Sequence, residues 1–138
     1  MTTNTPTLSV SPALTDEALN TLFTAAWPDH RPTAFAPLLA RSLVWIAAHR
    51  GDRLVGYVNV VGDGGAHAFI LDTTVHPEEG RRGLGVRLVR AAAAEARARG
   101  AEWLHVDYEP ELEPFYAACG FRPTAAGLMN LRADASAP

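Results

Sequence analysis

The densest chemical signal in this sequence is the run Gly80-Arg81-Arg82-Gly83-Leu84-Gly85. Glycines let a backbone turn its N–H groups inward and approach a ligand closely, and a helix that starts at such a turn adds a positive field. With two arginines between them, these glycines have the chemistry of a phosphate site. An ordinary turn can share that composition, so the run alone suggests an anion and nothing finer. Two familiar phosphate motifs do not apply. The Walker loop needs a Lys-Ser/Thr pair that is missing here, and the dinucleotide loop needs other glycine spacing and a repeated βαβ plan.

A second set of residues could move protons: Asp72, His76, His105, Asp107, Glu109 and Tyr116. Ideal strand alternation would put His105, Asp107 and Glu109 on one face, which suits either a reacting face or a wet one. The acidic series Asp107, Glu109, Glu111, Glu113 fits a cationic substrate, and equally a solvated helix start. His30, His49 and His67 fall in loops or at strand ends and read as structural or solvated. Cys119, the single cysteine, has no evident His partner and reads as packing. Trp27, Phe35 and Trp45 suit either a pocket wall or the core.

These residues need elements to position them. A short strand is expected at 7–11. A helix follows from Thr15 through Leu19, Leu22 and Phe23 to Trp27-Pro28, and a second helical stretch runs over 32–41, weakened in its middle by Pro37. The segments 43–49 and 54–61 read as a hairpin around Arg50-Gly51-Asp52-Arg53, and 66–75 as a third strand ended by Pro77. The longest helix covers 85–99, with an apolar stripe of Leu88, Ala92 and Ala96 and with Gly100 placed to cap it. A strand over 103–108, a short helix over 111–119 and two weak strands around Ala125-Ala126-Gly127 complete the order. The pattern is one mixed α/β sheet, mostly antiparallel, with helices on both faces and a single long βαβ crossover. The expectation is one domain over 1–138, with frayed tails at 1–6 and 133–138.

Bulk properties narrow the classes. The chain has 138 residues, 48% hydrophobic and 20% charged, as expected of a globular protein able to bury a core. A net charge of -3 gives no reason to expect nucleic acid. No apolar run approaches the roughly 18–20 residues that span a bilayer, and the first ten residues do not look like a signal peptide; the cytoplasm is the expected location. One cysteine excludes an internal disulfide and a thiolate-rich metal site. All 12 Lys+Arg residues are arginine, so no lysine is present to act as base or nucleophile.

Two segments together carry a specific resemblance. Val75-His76-Pro77-Glu78-Glu79-Gly80-Arg81-Arg82-Gly83-Leu84-Gly85 resembles the acetyl-CoA motif of the GNAT superfamily of N-acetyltransferases. Downstream, Phe115-Tyr116-Ala117-Ala118-Cys119-Gly120-Phe121 is similar to that family's Tyr-x-x-x-Gly-Phe segment. The element order agrees, so the resemblance extends from the first strand to Leu131. Two departures stand out. Gly80 lies where the family prefers Gln or Arg, with Arg81 after it where Gly is common, and Glu109 lies where many relatives carry Asn.

The resemblance implies a GNAT-like sheet splayed into a V, with acetyl-CoA as cosubstrate and no metal. Thr73, Thr74 and Val75 would line the pantetheine arm. Gly80, Arg81, Arg82, Gly83, Leu84 and Gly85 would hold the pyrophosphate, with Arg87 as a further source of charge. A backbone N–H near Val75 would polarise the thioester carbonyl. Tyr116, at the cofactor, would protonate the departing thiolate, since a phenol with reference pKa of about 10 keeps its proton at neutral pH. Glu109 is the first choice for the base and His76 the second. The acceptor implied is a small amine or a peptide amine, and homodimers are common among proteins of this resemblance. The alternatives are a non-catalytic acyl-CoA sensor, another acyl group, or transfer to a hydroxyl.

Overall fold

A computed structural model describes residues 5–134, which fall into two compact units divided between Val106 and Asp107. The first unit holds five strands in the order β1 (Thr7–Val10), β2 (Val44–Arg50), β3 (Arg53–Gly62), β4 (His67–Val75) and β5 (Trp103–His105). The first four pair antiparallel, and β5 joins β4 in parallel. The β2–β3 hairpin turns on two residues, Gly51 and Asp52, with Gly51 at φ 62° as a tight hairpin turn requires.

Helices α1 (Asp16–Ala26) and α2 (Ala36–Leu39) lie between β1 and β2, and α3 (Leu84–Ala98) between β4 and β5. Thr15 starts α1 by accepting the Ala18 N–H at 3.0 Å. Asp16 then accepts the N–H groups of Phe35 and Ala36, at 3.0 and 3.1 Å, which caps α2 from the neighbouring helix. Pro37 sits in the first turn of α2, where its missing N–H costs nothing. The helical stretch expected over 32–41 is therefore shorter, and its proline begins it instead of weakening its middle.

Neighbouring residues of β3 show how the two layers are divided. Tyr57 packs with Leu19, Leu22, Phe23 and Phe35 of the α1–α2 layer, its ring centroid 5.9 Å from that of Phe23. Gly56, whose missing side chain points the other way, leaves room for α3. A Cβ there would lie 2.9 Å from Leu88 Cδ1 and 3.2 Å from Ala48 Cβ. The apolar stripe of α3 is buried as expected, and the helix ends in a Schellman motif. Gly100 adopts φ 95°, while the Ala101 N–H reaches the Ala96 carbonyl at 3.1 Å and the Gly100 N–H reaches that of Arg97 at 3.0 Å.

The β4–β5 ladder has only three rungs, His67 with Trp103, Ala68 with Leu104 and Phe69 with His105. Past Phe69, β4 runs on to Val75 with one edge unpaired by β5, which is the splay the sheet was expected to show. The strand anticipated over 103–108 ends at His105, so the alternation that would have aligned His105 with Asp107 and Glu109 does not extend that far.

The second unit holds a 3₁₀ turn (Pro110–Leu112), α4 (Glu113–Cys119) and α5 (Leu131–Asp134). The two strands expected around 125–127 are absent: among the described residues, 121–130 form neither strand nor helix. Leu128 and Met129, 89% and 69% exposed, show that this stretch buries too little apolar surface to hold strand pairing.

Candidate active site

The turn expected to bind phosphate is built from its anchor upward. A 3₁₀ turn (Pro77–Glu79) follows β4, and its Glu79 carboxylate is buried. Arg50, at the end of β2, clamps it with two parallel bonds, Nε to Oε2 at 2.7 Å and Nη2 to Oε1 at 2.8 Å. The Arg50 hydrogen bonds hold the Glu79 carboxyl below its usual range, against the opposing effect of burial. Arg82 adds a longer contact to the same carboxylate, at 3.9 Å. Sequence reasoning did not find this anchor, because nothing in the spacing links residues 29 positions apart.

Above the anchor the backbone opens. Gly83 precedes α3 at φ 80°, and space beside it is clear. The first backbone bond of the helix runs from the Arg87 N–H to the Gly83 carbonyl at 3.1 Å, so the N–H groups of Leu84, Gly85 and Val86 have no intrahelical acceptor. Arg81 takes φ 63°, a left-handed conformation that favours glycine, whereas Gly80 at φ -60° has no need of one. Within the first departure from the family pattern, the glycine stands one position before the bend that would use it. Arg87 is committed elsewhere, donating through Nη2 to the Pro6 carbonyl at 3.1 Å.

Along β4, the His76 N–H donates to the Val55 carbonyl at 2.8 Å on the β3 side. Strand alternation therefore aims the Val75 N–H and carbonyl at the open edge, where an extended chain can pair with them. Thr74 is buried and takes the Trp27 indole N–H on its hydroxyl at 3.1 Å, while the Thr73 hydroxyl is buried with no partner. His76 Nε2 lies 2.7 Å from Arg53 Nη2, and its Nδ1 accepts the Glu78 N–H at 3.1 Å. Both ring nitrogens are thus engaged within the protein. His105 lies 2.8 Å from His67 through their ring nitrogens.

In the second unit, Tyr116 is set in an aromatic cluster. Its ring stacks on Tyr108 at 4.9 Å and meets Phe115 and Phe121 edge-on at 4.8 and 5.8 Å. Gly120 closes α4 at φ 108° and lets the Phe121 N–H return to the Tyr116 carbonyl at 3.0 Å, which explains the Tyr-x-x-x-Gly-Phe spacing. Glu109 is exposed just ahead of the 3₁₀ turn, and Asp107, Glu111 and Glu113 are exposed as well. No group of three or more His, Cys, Asp or Glu side chains suited to a metal occurs among the described residues.

An open-edged strand leading into a turn of unpaired N–H groups at a helix start defines a class, and comparison with known proteins agrees. Residues 13–121 match the model of the Acetyltransferase (GNAT) family. The chain belongs to that family. It is similar to the mycothiol acetyltransferase of Nocardia farcinica (strain IFM 10152), 36% identical over 102 residues, covering 74% of this chain and 32% of that protein. The mycothiol acetyltransferase of Mycobacterium avium (strain 104) is 34% identical over 87 residues, 63% of this chain and 27% of that protein. The chain thus spans about a third of the length of these relatives. Among solved structures, a GNAT-family acetyltransferase from Streptococcus pneumoniae TIGR4 superposes with a TM-score of 0.76 at 26% identity, covering 91% of this chain and 98% of that one. An aminoglycoside N-acetyltransferase in complex with CoA shares the fold, with a TM-score of 0.71 at 17% identity over 94% of this chain and 97% of that one. No helix among the described residues is long and apolar enough to cross a membrane.

Proposed function

We propose that this chain transfers the acetyl group of acetyl-CoA to a primary amine by direct attack of the amine on the thioester. One observation carries the reading: unpaired N–H groups at the start of α3, beside an αL Gly83, follow directly on the open edge of β4. The turn offers donors to a pyrophosphate, and Arg81 and Arg82 add charge at its surface. The backbone of Thr73, Thr74 and Val75 offers strand-like pairing to the pantetheine arm.

The residues then divide the proton traffic. An amine is protonated at neutral pH and must lose a proton before it attacks. Glu109 is the proposed acceptor of that proton; His76 is less suited, because both its ring nitrogens are engaged, with Arg53 and with the Glu78 N–H. The nitrogen forms a bond to the carbonyl carbon, polarised by the Val75 N–H, and the carbon–sulfur bond breaks. Tyr116 gives its proton to the departing thiolate and is restored, through water, by the second proton that the acylated nitrogen releases.

Thiol release from acetyl-CoA across a panel of primary amines, peptide amines and alcohols tests the reading. Amines should be consumed and alcohols spared. Release with alcohols alone, or with no acceptor in the panel, would overturn it. Tyr116→Phe should lower kcat about 100-fold with acetyl-CoA affinity unchanged; an unchanged kcat removes Tyr116 from its role.

A further inference from the structure

The β1–β2 side of the sheet carries charge that the proposed transfer does not use. A cavity of about 140 Å³ lies there, lined in part by Thr5, Pro6, Arg50, Glu79, Arg82 and Arg87. Pro6 leads into β1 and Arg50 ends β2, whereas the open edge that suits the cofactor arm belongs to β4, two strands further on. The two places are distinct.

Three guanidinium groups meet one carboxylate around this cavity, a surplus of two positive charges. The carboxylate is already occupied. Glu79 is clamped by Nε and Nη2 of Arg50, which leaves Arg50 Nη1 outside the clamp. Arg82 reaches the same carboxylate only at 3.9 Å. Arg87 is half-buried, donates through Nη2 to the neutral Pro6 carbonyl, and makes no ion pair with any described residue.

The position of Arg87 on its helix sharpens the imbalance. It is the fourth residue of α3, at the end where the helix dipole is positive, and no acidic residue stands in that first turn. The helix end repels the guanidinium, and partial burial strips away water that would offset the repulsion. A phosphate group supplies what is missing. Its two negative charges match the surplus, and its oxygens accept paired N–H groups from guanidinium forks. Beside the cavity, an open hollow of about 620 Å³ bounded by Arg50, Arg53, Glu78, Glu79 and Arg82 has room for the organic part of an ester.

We propose that Arg87 and Arg50 form a second anion site, separate from the cofactor turn, that takes a dianionic phosphate group, free or as a small monoester. An anion held there ties together the chain before β1, the end of β2 and the start of α3.

The test is calorimetric titration of inorganic phosphate into Gly83→Val at constant ionic strength. That substitution disturbs the N–H groups of the turn, so phosphate resting on them does not contribute. One phosphate per chain should bind, and adding Arg87→Gln should weaken it about tenfold. Glutamine keeps an N–H for the Pro6 carbonyl, so the contact with the N-terminal segment persists. In the wild type, phosphate should raise the melting temperature beyond matched chloride, and it should still bind when acetyl-CoA is saturating. Glycerol 3-phosphate separates the two sources: tighter binding than inorganic phosphate assigns the hollow to an ester, and weaker binding assigns the cavity to the free ion. No phosphate bound to Gly83→Val, equal binding after Arg87→Gln, or loss of phosphate from the wild type on saturation with acetyl-CoA overturns the separate site.

Discussion

Two short segments a few residues apart hold a non-glycine residue in the left-handed region, and they differ in what surrounds it. Arg81, at φ 63°, sits in a turn whose charges are paired, with Glu79 clamped by Arg50 and approached by Arg82. Asp72, at φ 58°, sits in a bulge, and its carboxylate makes no ion pair among the described residues. The backbone strain is alike while the electrostatics are opposite. The anchor of the turn is finished by the protein itself, leaving the N–H groups, with Arg81 and Arg82, for a ligand.

The largest effect expected from breaking this contrast falls on the anchor. Glu79→Ala leaves the Arg50 guanidinium without its bidentate partner and frees the 3₁₀ turn below the phosphate-binding N–H groups. Melting temperature should fall by several degrees and acetyl-CoA affinity about tenfold. The KM for amine should hardly move, because the turn serves the cofactor. Equal losses at both substrates would erase the distinction between the two segments.

Acid offers a second probe of the same anchor. The Glu79 pKa is depressed in the fold below its ordinary 4.5. Its contribution is therefore fully present above that value and lost as pH falls through the lower folded value. The gap in melting temperature between wild type and Glu79→Ala should be full near neutral pH and should close as pH drops below about 4. A gap that persists undiminished at low pH would mean the ion pair is not what holds the turn.

The smallest effects are the most discriminating. Arg81→Gly and Asp72→Gly each relieve left-handed strain, worth about 1 kcal/mol and a rise of a few degrees in melting temperature. Arg81→Gly should weaken acetyl-CoA binding by a small factor through its lost charge, while Asp72→Gly should leave that binding unchanged. Equal acetyl-CoA affinities in the two variants would show the two strained residues to be equivalent.

What the sequence disclosed follows from how local each signal is. The hairpin around Gly51, the apolar stripe of α3, its Gly100 end and the paired spacing of Gly80–Gly85 with Tyr116-x-x-x-Gly120-Phe121 depend on near neighbours, and the structure holds all of these features. The bulge was hidden because Leu71-Asp72-Thr73-Thr74-Val75 reads as an unbroken strand, with no Gly or Pro to mark the extra residue. The Arg50–Glu79 clamp was hidden by distance in the chain. The strand at 103 looked longer because its residue types suit a strand through 108, but its length is set by the three rungs that β4 offers. The strands expected near 125–127 rested on weak β preference with no apolar alternation to bury, and strand pairing depends on that burial.

The central claim is that the N–H groups between Arg81 and Val86 hold the cofactor pyrophosphate. Calorimetric titration of acetyl-CoA into the wild-type protein, beside Gly83→Val, tests it most directly. Valine at φ 80° must distort the turn, while open space around the residue spares the rest of the fold. The account predicts one site per chain in the wild type, with Kd between about 1 μM and 1 mM, and binding at least tenfold weaker in a Gly83→Val protein that still folds. No binding to the wild type, or equal binding to both, would contradict it.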